Sequence, residues 1–415
     1  MWQKIQDIWR DNTKVAENYV FMTILQVLNI CFYIFIYPFL IRVLGADSYG
    51  LYAYAAAIVA LFVTLVSFGF DLPAAKRIAE HAEDNQAKSQ VLSEVTTAKI
   101  ILECLAIAIY AILLMTVPQM QTQRLLFTIV FAQTLANILF PQWYFQGVQR
   151  MRVVTYIQVA FKVASLPFIF WILRTPEDVW IYALIVSVST ILGALVAWEI
   201  IRRKDGLQIQ LVSWSVVRRA MREAAPFFLS NATGVLKEQG IVILIGQFLG
   251  MGDVAIYDLA NKIIIIPRTI LSKLNDALFP KMMAQPSVSR RKKVLAGEVI
   301  IGFISIALVA ALGYWAVLVL GGHAMLASYP VSIILSVTIL TWLVVGAMIY
   351  FYIIPSGKTF FITVNQLIAM LTTFAFAGLG LYFTHSVYML AASLAMSGLI
   401  EILFCSIVIR CKLKP

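Results

Sequence analysis

A chain of 415 residues with 61% hydrophobic residues, 13% charged residues and a mean hydropathy of +0.87 departs far from soluble composition, for which roughly 45–50% apolar and about 25% charged are usual. So few charges cannot cover a soluble surface, which excludes a soluble enzyme, a disulfide-stapled secreted scaffold and a disordered chain, and points to a polytopic membrane protein. The net charge of +11 does not indicate nucleic acid, because Lys and Arg fall in short clusters between apolar runs and form no stripe on a soluble domain.

In chain order, residues 1–16 place Trp2, Ile5, Ile8 and Trp9 at helical spacing with Lys4, Arg10 and Lys14 between them, which predicts a short helix lying in the cytoplasmic membrane interface. A crossing needs about 20 mostly apolar residues. Twelve segments meet that need, near 17–41, 50–70, 94–117, 125–146, 153–173, 179–201, 224–249, 255–279, 297–320, 330–354, 359–383 and 387–409. No cleavable signal is expected ahead of them. With both termini in the cytoplasm, the inside segments hold 23 Lys and Arg residues and the outside segments hold three, Arg42, Arg124 and Arg174, as the positive-inside bias requires. The connections are short, and the basic ones near 71–93 and 202–223 read first as topology signals. The resulting organisation is an interfacial helix at 1–16, a six-helix bundle at 17–201, a basic linker at 202–223 and a second six-helix bundle at 224–415 with a basic tail.

Local motifs say little of chemistry. Cys31, Cys104, Cys405 and Cys411 are scattered, His81, His323 and His385 are isolated, and neither set has metal-ligand or disulfide-framework spacing. No P-loop is present, so neither a cofactor, a metal nor nucleotide hydrolysis is expected. An internal repeat is more informative. At an offset of 205 residues, 44–79 falls on 249–284 with ten of 36 positions identical, among them Gly45 and Gly250, Tyr52 and Tyr257, Asp71 and Asp276, and Lys76 and Lys281. Six spans separate the copies, so the repeat is parallel, with its axis along the membrane normal. The fold class is therefore all-α and polytopic, with two related six-helix bundles around a central cavity.

Ionisable residues at bilayer depth are costly and mark function by default. They are Lys99 and Glu103 in the third span, Lys162 in the fifth, Lys237 and Glu238 in the seventh, and Asp258, Lys262, Arg268, Lys273 and Asp276 in the eighth, six cations against four acids. At 100° per residue, Asp258, Lys262, Thr269, Lys273 and Asp276 share a stripe of about 60°. Pro267 is expected to bend that helix. Lys99, Lys162, Lys237, Lys262, Arg268 and Lys273 are candidate contacts for an anionic cargo, since Arg and Lys both hold phosphate. Asp71, Glu103, Glu238, Asp258 and Asp276 are candidate proton or cation carriers. The bland readings stand beside these: Lys99 with Glu103, and Asp258 with Lys262, are i,i+4 neighbours able to neutralise each other, and Asp71 and Asp276 could contact Lys76 and Lys281. Trp143, Tyr144 and Phe145 read as interfacial belt residues.

The stretch 38–84 resembles the N-terminal signature of the polysaccharide-synthesis transporter family, which contains the Wzx-type O-antigen and capsule flippases. The pieces that carry the resemblance are Pro38–Leu40, Arg42 with Leu44 and Gly45, Tyr49 and Gly50, Phe68–Phe70 and Lys76–Ala79, joined in the second half by Gly246, Phe248–Gly250, Tyr257, Ala260, Lys262 and Phe279–Lys281. Where many relatives have Gly-Tyr-Tyr, this chain has Ala255, Ile256 and Tyr257. The resemblance implies a non-enzymatic flippase of the bacterial inner membrane. It would move an undecaprenyl-diphosphate-linked oligosaccharide between leaflets by cation-coupled antiport, through a positively charged lumen. The implied partners are that glycan, membrane lipid, and a polymerase and chain-length regulator of the same pathway. The alternatives are a multidrug exporter of the same superfamily, whose lumen would be acidic or apolar, and a membrane-embedded glycosyltransferase or polymerase, which would need a large outside loop.

Overall fold

The computed structural model describes residues 2–284 and 287–412, and leaves the side chains of 2–16, 19, 272, 273, 276, 277, 280, 281 and 284 outside the description. The interfacial face predicted for 1–16 therefore lies outside the described residues, although the backbone from Trp2 is helical. Among the described residues every regular element is a helix. In order they are α1 (Trp2–Ser67), α2 (Asp71–Glu80), α3 (Asn85–Thr116), α4 (Pro118–Thr122), α5 (Arg124–Phe131), α6 (Thr134–Leu139), α7 (Gln142–Gly147), α8 (Met151–Ile172), α9 (Val179–Lys204), α10 (Trp214–Phe248), α11 (Met251–Ala284), α12 (Val288–Gly321), α13 (Ser328–Met348), α14 (Phe360–Phe383) and α15 (Val387–Lys412).

Among the described residues nine helical stretches are long and apolar enough to cross a membrane. One of them, Val20–Glu80, contains two of the predicted spans. The two remaining predicted spans are α10 and α11, the helices with charges near their middles. The chain is an all-α polytopic membrane protein.

The sequence predicts a loop between the first two spans, and the structure has a single break. Gly45 sits inside α1 at φ 75 and ψ 170, a conformation open in practice only to glycine, so one residue re-aims the helix. Gly250, its counterpart at the 205-residue offset, also has positive φ and separates α10 from α11.

By its internal contacts the chain forms two compact units, Met1–Phe39 with Ile58–Ala232, and Leu40–Ala57 with Thr233–Pro415. The division falls within α10, and residues 202–223 belong wholly to the first unit. Asp205 accepts from Tyr144 at 2.8 Å and pairs with Arg150 at 2.6 Å. Gln210 and Val212 donate their backbone N–H groups to Ser93 and Thr97 on α3. The basic connection is thus tied down along α3 by its own backbone hydrogen bonds.

In the first unit the predicted span 125–146 is three short helices, α5, α6 and α7. Pro141 follows α6 and cannot donate an N–H. Trp143, Tyr144 and Phe145 are not a belt: all three are buried, in a core shared with Ile78, Leu92, Val154 and Ile201. In the second unit α13 packs against α11, α12 and α15, and α14 packs against α15. α15 approaches α13 closely at Gly398, where a Cβ would lie 2.3 Å from the Thr341 hydroxyl. Only glycine lets α15 come this near α13, and that approach brings Glu401, one turn further on, up to α10.

Candidate functional site

Within the second unit, α10, α11, α13, α14 and α15 enclose a cavity of about 290 Å³. Its charged lining comes from Lys237 and Glu238 on α10, Arg268 on α11 and Glu401 on α15. These groups are paired. Lys237 Nζ donates to Glu401 Oε1 at 2.9 Å, and Arg268 Nη2 donates to Glu238 Oε1 at 2.7 Å. The second Glu401 oxygen accepts from Asn365 Nδ2 at 3.0 Å, and the Cys405 thiol points at Asn365 Oδ1 at 3.5 Å. Arg268 also lies over the Trp342 ring, 5.7 Å from its centroid, a cation–π contact. The Lys237 and Arg268 side chains keep 18% and 28% of their surface accessible, so neither is sealed into the packing. Tyr257, Asn261, Trp342 and Gln366 complete the polar and aromatic lining.

In the first unit Lys99 is closed off. It donates to the Asn137 backbone oxygen at 3.2 Å and to Asn137 Oδ1 at 3.1 Å, and lies 3.6 Å from Asp71. The Asn137 carbonyl belongs to the last turn of α6, where no intrahelical donor follows, and Pro141 ensures that none can. Lys99 fills that gap. Asn137 Nδ2 in turn donates to the Ser67 hydroxyl at 2.5 Å and to the Val63 carbonyl at 3.1 Å. Glu103 accepts from the Thr134 hydroxyl at 2.5 Å on one oxygen, while its other oxygen is buried without a partner.

The structure therefore brings together some predicted site residues and separates others. Lys237, Glu238 and Arg268 border one cavity. Lys99 and Glu103 do not neutralise each other, because Lys99 is taken by Asn137 and Asp71, and Glu103 by Thr134. Asp71 does not pair with Lys76, which lies 3.7 Å from Glu80. Lys162 stands by itself on α8, donating to Asn29 and lying 5.6 Å above the Phe32 ring. Lys262 does not border the cavity. It lies 3.7 Å from Asp258, which accepts from the Tyr49 hydroxyl at 2.8 Å. The α11 face toward the cavity carries Tyr257, Asn261 and Arg268, one position off the predicted stripe. The side chains of Lys273 and Asp276 lie outside the described residues.

The expected six-to-four excess of cations does not describe this cavity, which carries two cations and two acids. Lys99, Lys162 and Lys262 lie elsewhere, and one acid not expected from the sequence, Glu401, joins the lining. Its signal was a lone acid interrupting the apolar run 387–409, the same signal that singled out Glu103.

Residues 15–285 match the family model described as "Polysaccharide biosynthesis protein". A relative from Escherichia coli (strain K12), provisionally named an O-antigen transporter, is 23% identical over 281 residues, covering 68% of this chain and 68% of its own length. One from Shigella dysenteriae with the same provisional name is 21% identical over 274 residues, covering 65% of this chain and 67% of its own. Among solved structures the fold is similar to a multidrug resistance MATE family transporter in its inward-facing conformation, with a TM-score of 0.70, 12% identity and coverage of 91% and 94% of the two chains. It is also similar to the lipid II flippase MurJ, with a TM-score of 0.68, 13% identity and coverage of 94% and 87%.

Proposed function

The chain belongs to the polysaccharide biosynthesis protein family, and from that premise we propose that it is a flippase. It moves an undecaprenyl-diphosphate-linked oligosaccharide, an O-antigen or similar repeat unit, across the bacterial inner membrane by alternating access. Both termini lie in the cytoplasm, the cargo is handed to a polymerase and chain-length regulator, and the chain itself performs no catalysis. The observation that supports this most is the cavity bordered by Lys237, Glu401, Arg268 and Glu238. Four ionisable groups held at the middle of apolar helices are expensive, and they persist where a polar cargo must pass.

Cation coupling is part of the proposal. Glu238 borders the cavity, Glu103 holds one unpartnered oxygen, and Asp258 and Asp71 sit beside lysines. With Asp276 these remain the candidate carriers. Collapse of the proton and sodium gradients should stop transport, and transport that continues would remove coupling from the reading. Of the predicted anion contacts, Lys237 and Arg268 are the two that reach the cavity. Lys162, Lys262 and Lys273 are proposed only as charges along the wider path, and Lys99, enclosed by Asn137 and Asp71, as a structural group.

A second reading, multidrug antiport, gains something from the two carboxylates of the cavity, since a cationic drug would seek them. Both carboxylates are already paired with Lys237 and Arg268, so neither is free for a cationic drug, and the family match carries the choice of the flippase. In cells carrying the chain's own glycan pathway, deletion should abolish surface polysaccharide and leave lipid-linked repeat units on the inner leaflet. Unchanged surface polysaccharide in the deletion strain would overturn the reading.

A further inference from the structure

We propose that the second-unit cavity holds one neutral, hydroxyl-bearing sugar ring of the cargo and does not hold its diphosphate, an assignment that rests on the flippase reading. The charges in the cavity sum to zero, and each cation has a carboxylate within 2.9 Å. A diphosphate would have to pull Lys237 away from Glu401, leaving a buried carboxylate with Asn365 as its remaining donor, and such an uncompensated charge is costly. A cationic ligand meets the same obstacle from the other side.

What the cavity offers freely is neutral. Asn261, Gln366, Tyr257 and Trp342 line it, and among the described residues their side-chain amides, hydroxyl and indole N–H make no hydrogen bond within the protein. Amides and hydroxyls both donate and accept, which matches the dual character of sugar hydroxyls and matches neither a pure anion nor a pure cation. Trp342, half-buried with Arg268 on its ring, adds aromatic surface for the C–H side of a pyranose, while the buried Tyr257 ring only borders the cavity. Buried polar groups left unpaired reject a ligand that lacks the complementary hydroxyl. Size agrees as well: about 290 Å³ is at the lower edge of the ~300–1,000 Å³ of small-ligand sites, room for one ring and not for an oligosaccharide.

The test uses the purified full chain in detergent, with saturation-transfer NMR as the readout. N-acetylglucosamine and glucose serve as neutral probes, pyrophosphate as the anionic probe and tetraphenylphosphonium as the cationic one. The neutral sugars should give signal at millimolar concentration and should not be displaced by the charged probes. Asn261→Leu and Gln366→Leu should each weaken their binding about tenfold, a change equivalent to about 1.4 kcal/mol. Trp342→Phe should retain binding and Trp342→Ala should lose it. Thermal melting of each variant separates loss of binding from loss of fold, and the two amide variants carry the test if Trp342→Ala does not fold. Displacement of the sugar by pyrophosphate, or binding unchanged in both amide variants, overturns the assignment. Surface polysaccharide is scored in parallel. Export retained with no sugar signal defeats the sugar site and spares the flippase, whereas sugar bound at the cavity by a chain that exports no glycan spares the site and defeats the flippase.

Discussion

Lys99 in the first unit and Lys237 in the second are both single cations in apolar helices, and the structure uses them differently. The Lys99 side chain is 3% exposed, and its donors are spent on a backbone carbonyl, an amide and Asp71. Lys237 meets one carboxylate at the edge of a cavity and remains partly open. The neighbouring helix decides the outcome. Beside Lys99, α6 ends ahead of Pro141 and presents a carbonyl that no backbone N–H can reach. Beside Lys237, the Gly398 contact brings in Glu401 and leaves space at its side. A lysine in an apolar helix is closed into the packing in one place and borders a cavity in the other.

The sharpest way to break this comparison is to remove each ammonium. Lys237→Ala strands Glu401 in a buried position, and breaking a buried pair by removing one partner costs about 3–5 kcal/mol. Thermal unfolding should show a loss of that size, and surface polysaccharide should disappear. The paired variant Lys237→Met with Glu401→Met should recover most of the stability, because apolar replacement of a whole ion pair is often neutral, while export stays lost. Export restored by the paired variant would make the pair structural, like Lys99. Lys99→Met should cost less, about 1–3 kcal/mol for the unmet Asn137 carbonyl. It should leave export per folded molecule unchanged, measured at matched membrane levels of the protein. A loss of export beyond the loss of folded protein would place Lys99 on the cargo path.

Glu298 is a third situation, a charged residue type with neither plug nor cavity. It is 1% exposed on α12, and its carboxylate has no hydrogen bond of good geometry, with the Asn275 side chain as the one polar group beside it among the described residues. Leaving such a group unsatisfied costs about 1–3 kcal/mol, and an apolar group of similar shape removes that cost. Glu298→Met should therefore hold or raise the melting temperature. A marked fall would show that the carboxyl has a function in the fold that the resting geometry does not display.

What was legible in the sequence follows the range of each signal. Apolar length and loop charge are local quantities, so the membrane class, the helices themselves and the charged character of α10 and α11 could be read directly. Family likeness was also carried by contiguous stretches. Partner identity was not local. Glu401 lies 164 positions from Lys237 and Asn137 lies 38 from Lys99, and no periodicity within one helix encodes such a match. The stripe on α11 shows the limit most clearly. Helical spacing puts Asp258, Lys262 and Thr269 on one face, yet the cavity meets the adjacent face, Tyr257, Asn261 and Arg268, because the packing of α13 and α15 sets the rotation of α11. The broken span at 125–146 had a local warning in Pro141, outweighed by its apolar run.

The smallest effect tests the other charged face of α11. Tyr49 is buried, and its hydroxyl donates to Asp258 Oδ2 at 2.8 Å, fixing residues 40–57 to α11 within the second unit. Asp258 also keeps Lys262 at 3.7 Å, so removing one donor does not leave it bare. Tyr49→Phe keeps the ring and its packing and deletes one hydrogen bond, worth about 0.5–1.5 kcal/mol, somewhat more when the acceptor is charged. A fall in melting temperature of that order, with export unchanged, is expected if Asp258 is held as a structural acceptor. Export that falls while stability moves no further would mean that the Tyr49 hydroxyl sets the protonation or orientation of Asp258 during transport. Asp258 would then be the working acid on α11, and the face bearing Lys262 would rank beside the Lys237 cavity.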